Sequence, residues 1–335
     1  MCLGNRAGVR LLMSCMLAKI DDPSVDARQP YTKIGGQECF SGRTIDEQYL
    51  GEFITQNDLP CNSTTAFLTP ALRNIDKPLN EDVVIVGRPP RVYSDTLKIL
   101  AAVQSGDESP ENVMSETVRI LFAMRNAKRE RMKSLLQSIQ SNDGALPLSS
   151  EAIVTLLEQH LACKHSSRLP VLIVAAAYHA ASGLGETTRP LLAHNAADEQ
   201  TGAIGDVEVE LVDDDNVVTS YEMKMKRVLS GDIDRAVTKI ASLANRIDNY
   251  IFITTDEISL DVHEYAASFY EQLHGVEIVV LDCIGFVRHF LHFYHRHRLA
   301  FLNQYQTLVL AEPDSAVSQP LKEAWLSLRQ AAEAE

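Results

Sequence analysis

The sequence lacks the features that would place it in or across a membrane. No apolar run approaches the roughly 18 to 20 residues that a membrane-spanning helix needs. The N-terminal segment has apolar residues at scattered positions, without the uninterrupted core and cleavage site of a secretory signal. These absences predict a soluble, cytoplasmic protein that has no membrane partner.

Paired cysteines and an excess of positive charge are also missing. The six cysteines are widely spaced and form no CxxC pair, so neither a zinc site nor a disulfide framework is expected. Lys and Arg number 31 against 45 Asp and Glu, which gives a net charge of −14. This total is a weak argument against a nucleic-acid partner, because an acidic protein can still present one basic cleft.

The length of 335 residues suits two domains. We predict a mainly helical region over 1–148 and a second domain over 149–335, separated by a linker-like stretch at 141–150. Apolar periodicity and capping residues predict helices in the first region at 6–20, at 44–56 (where Thr44 and Glu47 have capping-box spacing) and at 115–139. The apolar run at 83–90 ends in Gly-Arg-Pro-Pro and is either a strand or an extended connection.

The second domain carries the pattern of a layered α/β (α+β) fold. Two alternating segments on either side of a polar turn at 213–216 predict a β-hairpin. An amphipathic helix and two buried strands follow, which predicts a mixed central sheet flanked by helices. The expected elements are helices at 149–163 and 170–182, hairpin strands at 204–212 and 217–226, a helix at 233–247, a strand at 249–256, a helix at 260–273 and a strand at 276–282.

The hairpin carries the residues that suggest chemistry. Asp206 lies near the start of its first strand, and Glu222 and Lys224 are two residues apart on the second strand, so these last two share a face. The hairpin would bring all three together at one edge of a sheet. Two carboxylates suit Mg²⁺, and a lysine beside it can orient or help to deprotonate an attacking water. The alternative is a surface hairpin with an exposed Glu–Lys pair.

The order Gly205-Asp206, then Glu222-Met223-Lys224, resembles the signature of the PD-(D/E)XK nucleases, with glycine where that pattern usually has proline. The resemblance implies the core fold of that family and Asp206, Glu222 and Lys224 as catalytic residues. Asp206, Glu222 and the carbonyl of Met223 would be the ligands of Mg²⁺. Secondary candidates, each with a solvated alternative, are Glu208 and Lys226 on the same face and Glu186 at a position where some family members have another acid.

Basic residues that could contact the DNA backbone lie in three places. The helix at 115–139 carries Arg125, Lys128 and Arg129, and a helix within 285–305 carries Arg288 and Arg296. A solvated helix face explains the first group equally well, and for the second the favoured alternative is a partly buried helix with aromatic packing and a solvated basic edge. One helix cannot direct the histidines of 285–305 at one metal ion. Arg43 ends GGQECFSGR, which lacks P-loop spacing and suits either polar readout or ordinary turns.

A wider resemblance covers about residues 25–290. The runs QPYTKIGGQECFSGRTIDEQYLGEFI, LPCNSTTAFLTPALRN, GDVEVEL and YEMKMK are similar to the SacI family of type II restriction endonucleases. This resemblance implies a bacterial or archaeal homodimer that cuts double-stranded DNA at a short palindrome of the GAGCTC type, with helical N-terminal elements helping to read the DNA. The alternatives are a structure-selective repair or recombination nuclease and a non-catalytic DNA-binding protein on the same core.

Overall fold

The computed structural model describes residues 6–62, 64–87, 89–140, 147–183, 185–192, 203–212, 214, 216–243 and 247–334. The chain divides into two compact units, Met1–Lys133 and Ser134–Glu335. The boundary between the units precedes the position 148/149 expected from sequence. Within the described residues no helix has the length and apolar character to span a membrane.

The described part of the first unit is helical and contains no strand. Its elements are α1 (Ala7–Asp21), α2 (Gly42–Ile45), a π-helical turn (Asp46–Leu50), α3 (Gly51–Gln56), α4 (Pro90–Ser105) and α5 (Pro110–Gln140), the last of which continues past the unit boundary. Helix α1 is buried along most of its length. Its apolar side chains form one core with residues of α4 and a second core with Leu50, Ile54 and Leu121.

One sequence prediction for this unit was wrong in detail, and a second is narrowed to one of its two alternatives. The helical stretch at 42–56 is capped by Ser41, whose hydroxyl accepts a hydrogen bond from the backbone N–H of Thr44, so Thr44 is not the cap. Residues 83–87 form no strand, which leaves the extended connection of the two predicted alternatives, and Pro90 opens α4. Proline is favoured at the first position of a helix, because its missing N–H would have no intrahelical partner there.

The second unit is built on a five-stranded mixed sheet flanked by helices. Its strands are β1 (Glu186–Thr188), β2 (Val207–Leu211), β3 (Val217–Lys224), β4 (Asn249–Thr254) and β5 (Glu277–Asp282), in spatial order β1-β2-β3-β4-β5. The first three strands pair antiparallel and the last three pair parallel, so β3 is the central strand at which the direction changes. The predicted hairpin is therefore confirmed, although Asp213 and Asp215 of its turn lie outside the described residues. The three-residue strand β1 was not predicted.

Helices cover both faces of this sheet. The unit contains α6 (Ser150–Leu161), α7 (Leu169–Ala180), α8 (Ser230–Ala241), α9 (Leu260–Ala267), α10 (Cys283–Phe293), α11 (Arg298–Ala311) and α12 (Gln319–Ala334). Apolar residues of α8 and α9 pack with Tyr250 and Phe252 of β4 and with β5 on one face. On the other face Tyr221 of β3 meets Tyr178 of α7 and Phe286 of α10. The nearly continuous apolar run of α7 is buried.

His160 is a fully buried histidine in this unit. Because a carbonyl can only accept, Nε2–H of His160 donates to the carbonyl of Leu321 at 3.0 Å, and Nδ1 is left to accept from the hydroxyl of Tyr305 at 2.9 Å. Burial lowers the pKa of His160 to about 4, although the hydrogen bond to Leu321 acts in the opposite direction. The imidazole is thus neutral in the folded protein at neutral pH.

The pH dependence of stability follows from this buried group. The pKa of His160 is 6.5 before folding and about 4 afterwards, so as the pH falls through this window the unfolded chain binds the proton first and stability is lost. Between pH 7 and pH 5 we expect His160 alone to remove roughly 2 kcal/mol from the free energy of unfolding. Urea denaturation of the wild type and His160→Gln at both pH values measures this. The variant should start less stable and lose less, and equal losses in both proteins would contradict the prediction.

Candidate functional site

The register of the hairpin places the three predicted catalytic residues on one face of the sheet. Val207 pairs with Tyr221 and Glu208 pairs with Ser220, and directly paired residues of antiparallel strands point to the same side. Asp206, which directly precedes β2, therefore lies beside Glu222, and alternation along β3 puts Lys224 on the same face. This is the face that α8 and α9 cover, and the three residues lie at the C-terminal end of the central strand β3, not at an edge strand.

Asp206 is fixed to β3 by two hydrogen bonds. Its backbone N–H donates to the carbonyl of Tyr221 at 2.7 Å, and its carboxylate Oδ2 accepts from the backbone N–H of Met223 at 2.7 Å. The side chain is nevertheless exposed to solvent. The carboxylate of Asp206 is thus held directly at the Glu222-Met223-Lys224 segment.

Gly205 permits this close approach. A Cβ atom added at Gly205 would lie 2.5 Å from the carbonyl oxygen of Tyr221 and would also collide with the hydroxyl of Ser220. A side chain, including the ring of proline, would therefore push β2 away from β3. This contact gives a physical reason for glycine at the position where the PD-(D/E)XK pattern usually has proline.

Lys224 lies between two carboxylates. Its Nζ is 2.9 Å from Oε1 of Glu222 and 3.7 Å from Oδ1 of Asp232, and its side chain is 29 % exposed. Partial burial lowers the pKa of Lys224, but the hydrogen bond and negative charge of Glu222 and the charge of Asp232 outweigh it, so the pKa is raised. Lys224 is therefore an ammonium group at neutral pH, suited to donate hydrogen bonds and to offset negative charge.

The oxygen atoms at this site fit a hard cation. Glu222 and Asp206 supply carboxylates, and the buried Tyr250 donates from its hydroxyl to Oε2 of Glu222 at 3.4 Å. In an extended strand the N–H and C=O of one residue point to the same side, so the carbonyl of Met223 points toward Asp206, as its N–H does. Two carboxylates and a carbonyl suit Mg²⁺, which keeps several of its waters. In the part of the chain that the structure describes, no group of three or more His, Cys, Asp and Glu side chains could hold a metal ion.

The three secondary candidates are not placed alike. Glu208 shares the face of Asp206, but its oxygens accept from the N–H of Ile204 at 2.6 Å and lie 3.5 Å from Arg189, so it is committed to local contacts. Lys226 is exposed and lies two residues beyond the end of β3, where alternation no longer assigns a face. Glu186 is opposite Leu211, which puts it on the other face and at the far end of β2 from Asp206. The structure thus corrects the expectation that Glu186 could join the same site.

The basic candidates of the first unit have contacts within that unit. Arg125 donates to the carbonyl of Asn57 at 2.9 Å, and its guanidinium lies 4.5 Å from the centre of the Phe122 ring. Arg129 lies 3.3 Å from Asp58, Arg43 lies 2.8 Å from Glu47, and Lys128 is half-buried. Arg125 thus has a structural role within the first unit. The side chains of Arg43 and Arg129 remain more than half exposed, at 54 % and 57 %.

In the second unit the aromatic and basic segment is not one helix. Helix α10 ends at Phe293, a 3-10 turn covers His295–His297, and α11 follows. Arg288 and His292 contact Glu151 at 3.2 Å and 2.9 Å, and Nδ1 of His297 donates to the carbonyl of Ala180 at 2.8 Å. Arg296 is exposed. His292 and His297 thus contact different residues, Glu151 and Ala180.

Two residues that contact the site, Asp232 and Tyr250, are not indicated by the sequence pattern. The path of the chain between β3 and α8 cannot be predicted from the sequence. The spacing between Lys224 and Asp232 therefore does not indicate that these two residues lie close together. Tyr250 belongs to an apolar run that predicts only a buried strand. The tyrosine hydroxyl within that run is the one available signal, because a buried hydroxyl needs a partner.

The comparisons with known proteins provide no relative from which a function could be carried over: no protein-family model matches the chain, and no curated protein matches it at a significant level.

Proposed function

We propose that this protein is a Mg²⁺-dependent type II restriction endonuclease that hydrolyses phosphodiester bonds of double-stranded DNA at a short palindrome. The observation that carries the proposal is the hydrogen bond from the Met223 N–H to the Asp206 carboxylate, which holds the two halves of the D…ExK pattern together. The order of the elements supports it as well. The hairpin β2–β3, the amphipathic helix α8 and the buried strand β4 follow one another in the order that the resemblance to the PD-(D/E)XK nucleases implies.

In this mechanism Asp206, Glu222 and the carbonyl of Met223 would hold Mg²⁺, which when bound offsets charge on the phosphate and activates a water. The hydrogen bond from Met223 keeps the Asp206 carboxylate in place beside β3. Lys224, as an ammonium, orients the attacking water and donates to the phosphate oxygens as negative charge develops. The resemblance to the family implies products with a 5′-phosphate and a 3′-hydroxyl.

The proposal includes a homodimer, because cutting both strands of a palindrome needs two active sites related by a two-fold axis. It also includes a cytoplasmic location in a bacterium or archaeon and a target of the GAGCTC type, both of which rest on the resemblance to the SacI family. The exposed Arg43, Arg129 and Arg296 are the basic candidates that we expect to contact the DNA backbone.

Digestion of a plasmid of known sequence tests this function. The full chain with Mg²⁺ should give a fixed set of fragments whose ends map to one palindrome, and EDTA should prevent cutting. Branched and flapped duplexes are incubated in parallel. Cleavage of those substrates with an intact plasmid would favour a structure-selective nuclease, and DNA binding without any cutting would favour a non-catalytic protein.

A further inference from the structure

Asp232 is a third carboxylate at the candidate site, and it comes from a different element than the other two. It lies in the first turn of α8, while Glu222 and Lys224 belong to β3 and Asp206 precedes β2. Its Oδ1 lies 3.7 Å from Nζ of Lys224, and its side chain is 13 % exposed. The pairing is therefore shielded from bulk water, which makes the attraction stronger than that of a surface ion pair.

The position of Asp232 is fixed by contacts other than Lys224. Its Oδ2 accepts the backbone N–H of Leu229 at 3.0 Å, which caps the start of α8, and its Oδ1 accepts from Arg235 at 2.5 Å. These two hydrogen bonds restrain the orientation of the Asp232 carboxylate. Asp232 thus presents a fixed negative charge toward the end of β3.

Lys224 has a flexible side chain with four rotatable bonds, so its ammonium needs a partner that holds it in one position. Glu222 and Asp232 are both carboxylates near it, and they differ in distance and in their proposed roles. Glu222, at 2.9 Å, is the nearer one, but in the proposed reaction the oxygens of Glu222 are needed for Mg²⁺. An ammonium held by Glu222 alone would lose its anchor when that carboxylate is shared. Asp232 is the carboxylate on α8 that remains available to hold it.

We propose that Asp232 is a positioning residue that keeps the Lys224 ammonium directed at the reacting phosphate. This inference rests on the proposed nuclease function. The residue touches neither DNA nor the metal in this scheme; it acts through Lys224.

The test separates the charge of Asp232 from its capping role. Asparagine keeps an oxygen that accepts the Leu229 N–H but removes the charge, so Asp232→Asn should fold with an unchanged melting temperature. We expect kcat for DNA cleavage to fall about 10- to 100-fold, the range typical for partners that orient active-site groups. KM and the Mg²⁺ concentration for half-maximal rate should stay the same, and Asp232→Glu should recover part of the rate.

Asp234→Asn is the matched control. It makes the same charge change two residues further along α8, but Asp234 accepts from the hydroxyl of Tyr265 at 2.6 Å instead of facing Lys224. A crystal structure of Asp232→Asn gives a readout independent of activity: the Lys224 ammonium should turn away from position 232 while the hydrogen bond from Leu229 persists.

Three outcomes would overturn the inference: an unchanged kcat in Asp232→Asn, an equal loss in Asp234→Asn, or a shift in the Mg²⁺ requirement, which would make Asp232 a metal ligand. An inactive wild type would instead overturn the nuclease function on which the inference rests. The two failures are therefore distinguishable.

Discussion

Asp206→Asn is expected to lower the rate of DNA cleavage roughly 10²- to 10³-fold, the size of effect seen when a group that stabilises transition-state charge is lost. The amide oxygen can still accept the N–H of Met223, so the contact between the hairpin strands persists. What disappears is one of the two carboxylates that would hold Mg²⁺. The loss should therefore fall on chemistry and not on folding.

Single-turnover cleavage of a plasmid in Mg²⁺ measures the rate, and a gel-shift assay in Ca²⁺ measures DNA binding separately. Binding should persist in Asp206→Asn. The matched control is Asp214→Asn, which changes the same charge on the turn of the same hairpin. Asp214 is exposed and accepts from Asn216 at 3.0 Å and 2.8 Å, and an amide can replace it there. We expect the rate of this control to equal that of the wild type.

Two results would contradict the assignment. Unchanged cleavage by Asp206→Asn would show that this carboxylate takes no part in the reaction. A similar loss in Asp214→Asn would show that the hairpin tolerates no change of charge, and the effect would then say nothing about Asp206.

The geometry of the central hairpin could be predicted from the sequence because strands have a period of two. Alternation placed Glu222 and Lys224 on one face before any contact was known, and the antiparallel pairing brings Asp206 beside them. The prediction required only the period and the position of the turn. Both are local properties of the sequence.

Contacts between elements distant in sequence could not be predicted in this way. Glu208 lies on the same face of the sheet as Asp206, but its carboxylate contacts Arg189, the residue that directly follows β1. Glu186 lies on the opposite face because it pairs with Leu211, which is five positions from Asp206 along the chain and therefore points to the other side. A three-residue strand has too short a pattern to reveal its pairing, so the sequence offers no means of separating these two acids from Asp206.

The start of α4 is a case in which one pattern permits two interpretations. The Gly-Arg-Pro-Pro segment ends a run that the sequence predicts as either a strand or an extended connection, and its last residue, Pro90, begins a 16-residue helix. Proline both terminates a preceding element and fits the first turn of the next one. Whether Pro90 ends the preceding run or also begins a helix depends on the burial of later residues such as Leu97 and Leu100, which pack into the core of the first unit.

The ion pair between Arg10 and Asp46 lies entirely within the first unit. Nε of Arg10 is 2.7 Å from Oδ1 of Asp46, the two side chains are 3 % and 0 % exposed, and Nη1 of Arg10 also donates to the carbonyl of Asn62 at 2.5 Å. The two residues are 36 positions apart. The sequence therefore shows an acidic residue near the start of a helix but does not indicate that Arg10 is its partner. The pair joins α1 to the helical stretch at 42–56.

Asp46→Ala is expected to lower the free energy of unfolding by about 3–5 kcal/mol, because it leaves the guanidinium of Arg10 buried without its carboxylate. Replacing both partners, as in Arg10→Met with Asp46→Leu, should recover much of this loss, since a buried pair exchanged for apolar residues is often close to neutral. Glu47→Ala is the control: its pair with Arg43 is exposed, and its loss should change stability by less than about 1 kcal/mol.

Urea unfolding of the three variants, followed by circular dichroism, measures these differences. Equal stabilities of Asp46→Ala and Glu47→Ala would contradict the role given to the buried pair. Cleavage assays on the same proteins connect the two predictions. Asp46→Ala should reduce the fraction of folded protein without changing the rate per folded molecule, whereas Asp206→Asn should reduce that rate in a protein that remains folded. A loss of activity that parallels a loss of stability is therefore an effect on the fold. A loss of activity in a protein of unchanged stability is an effect on the chemistry at the end of β3.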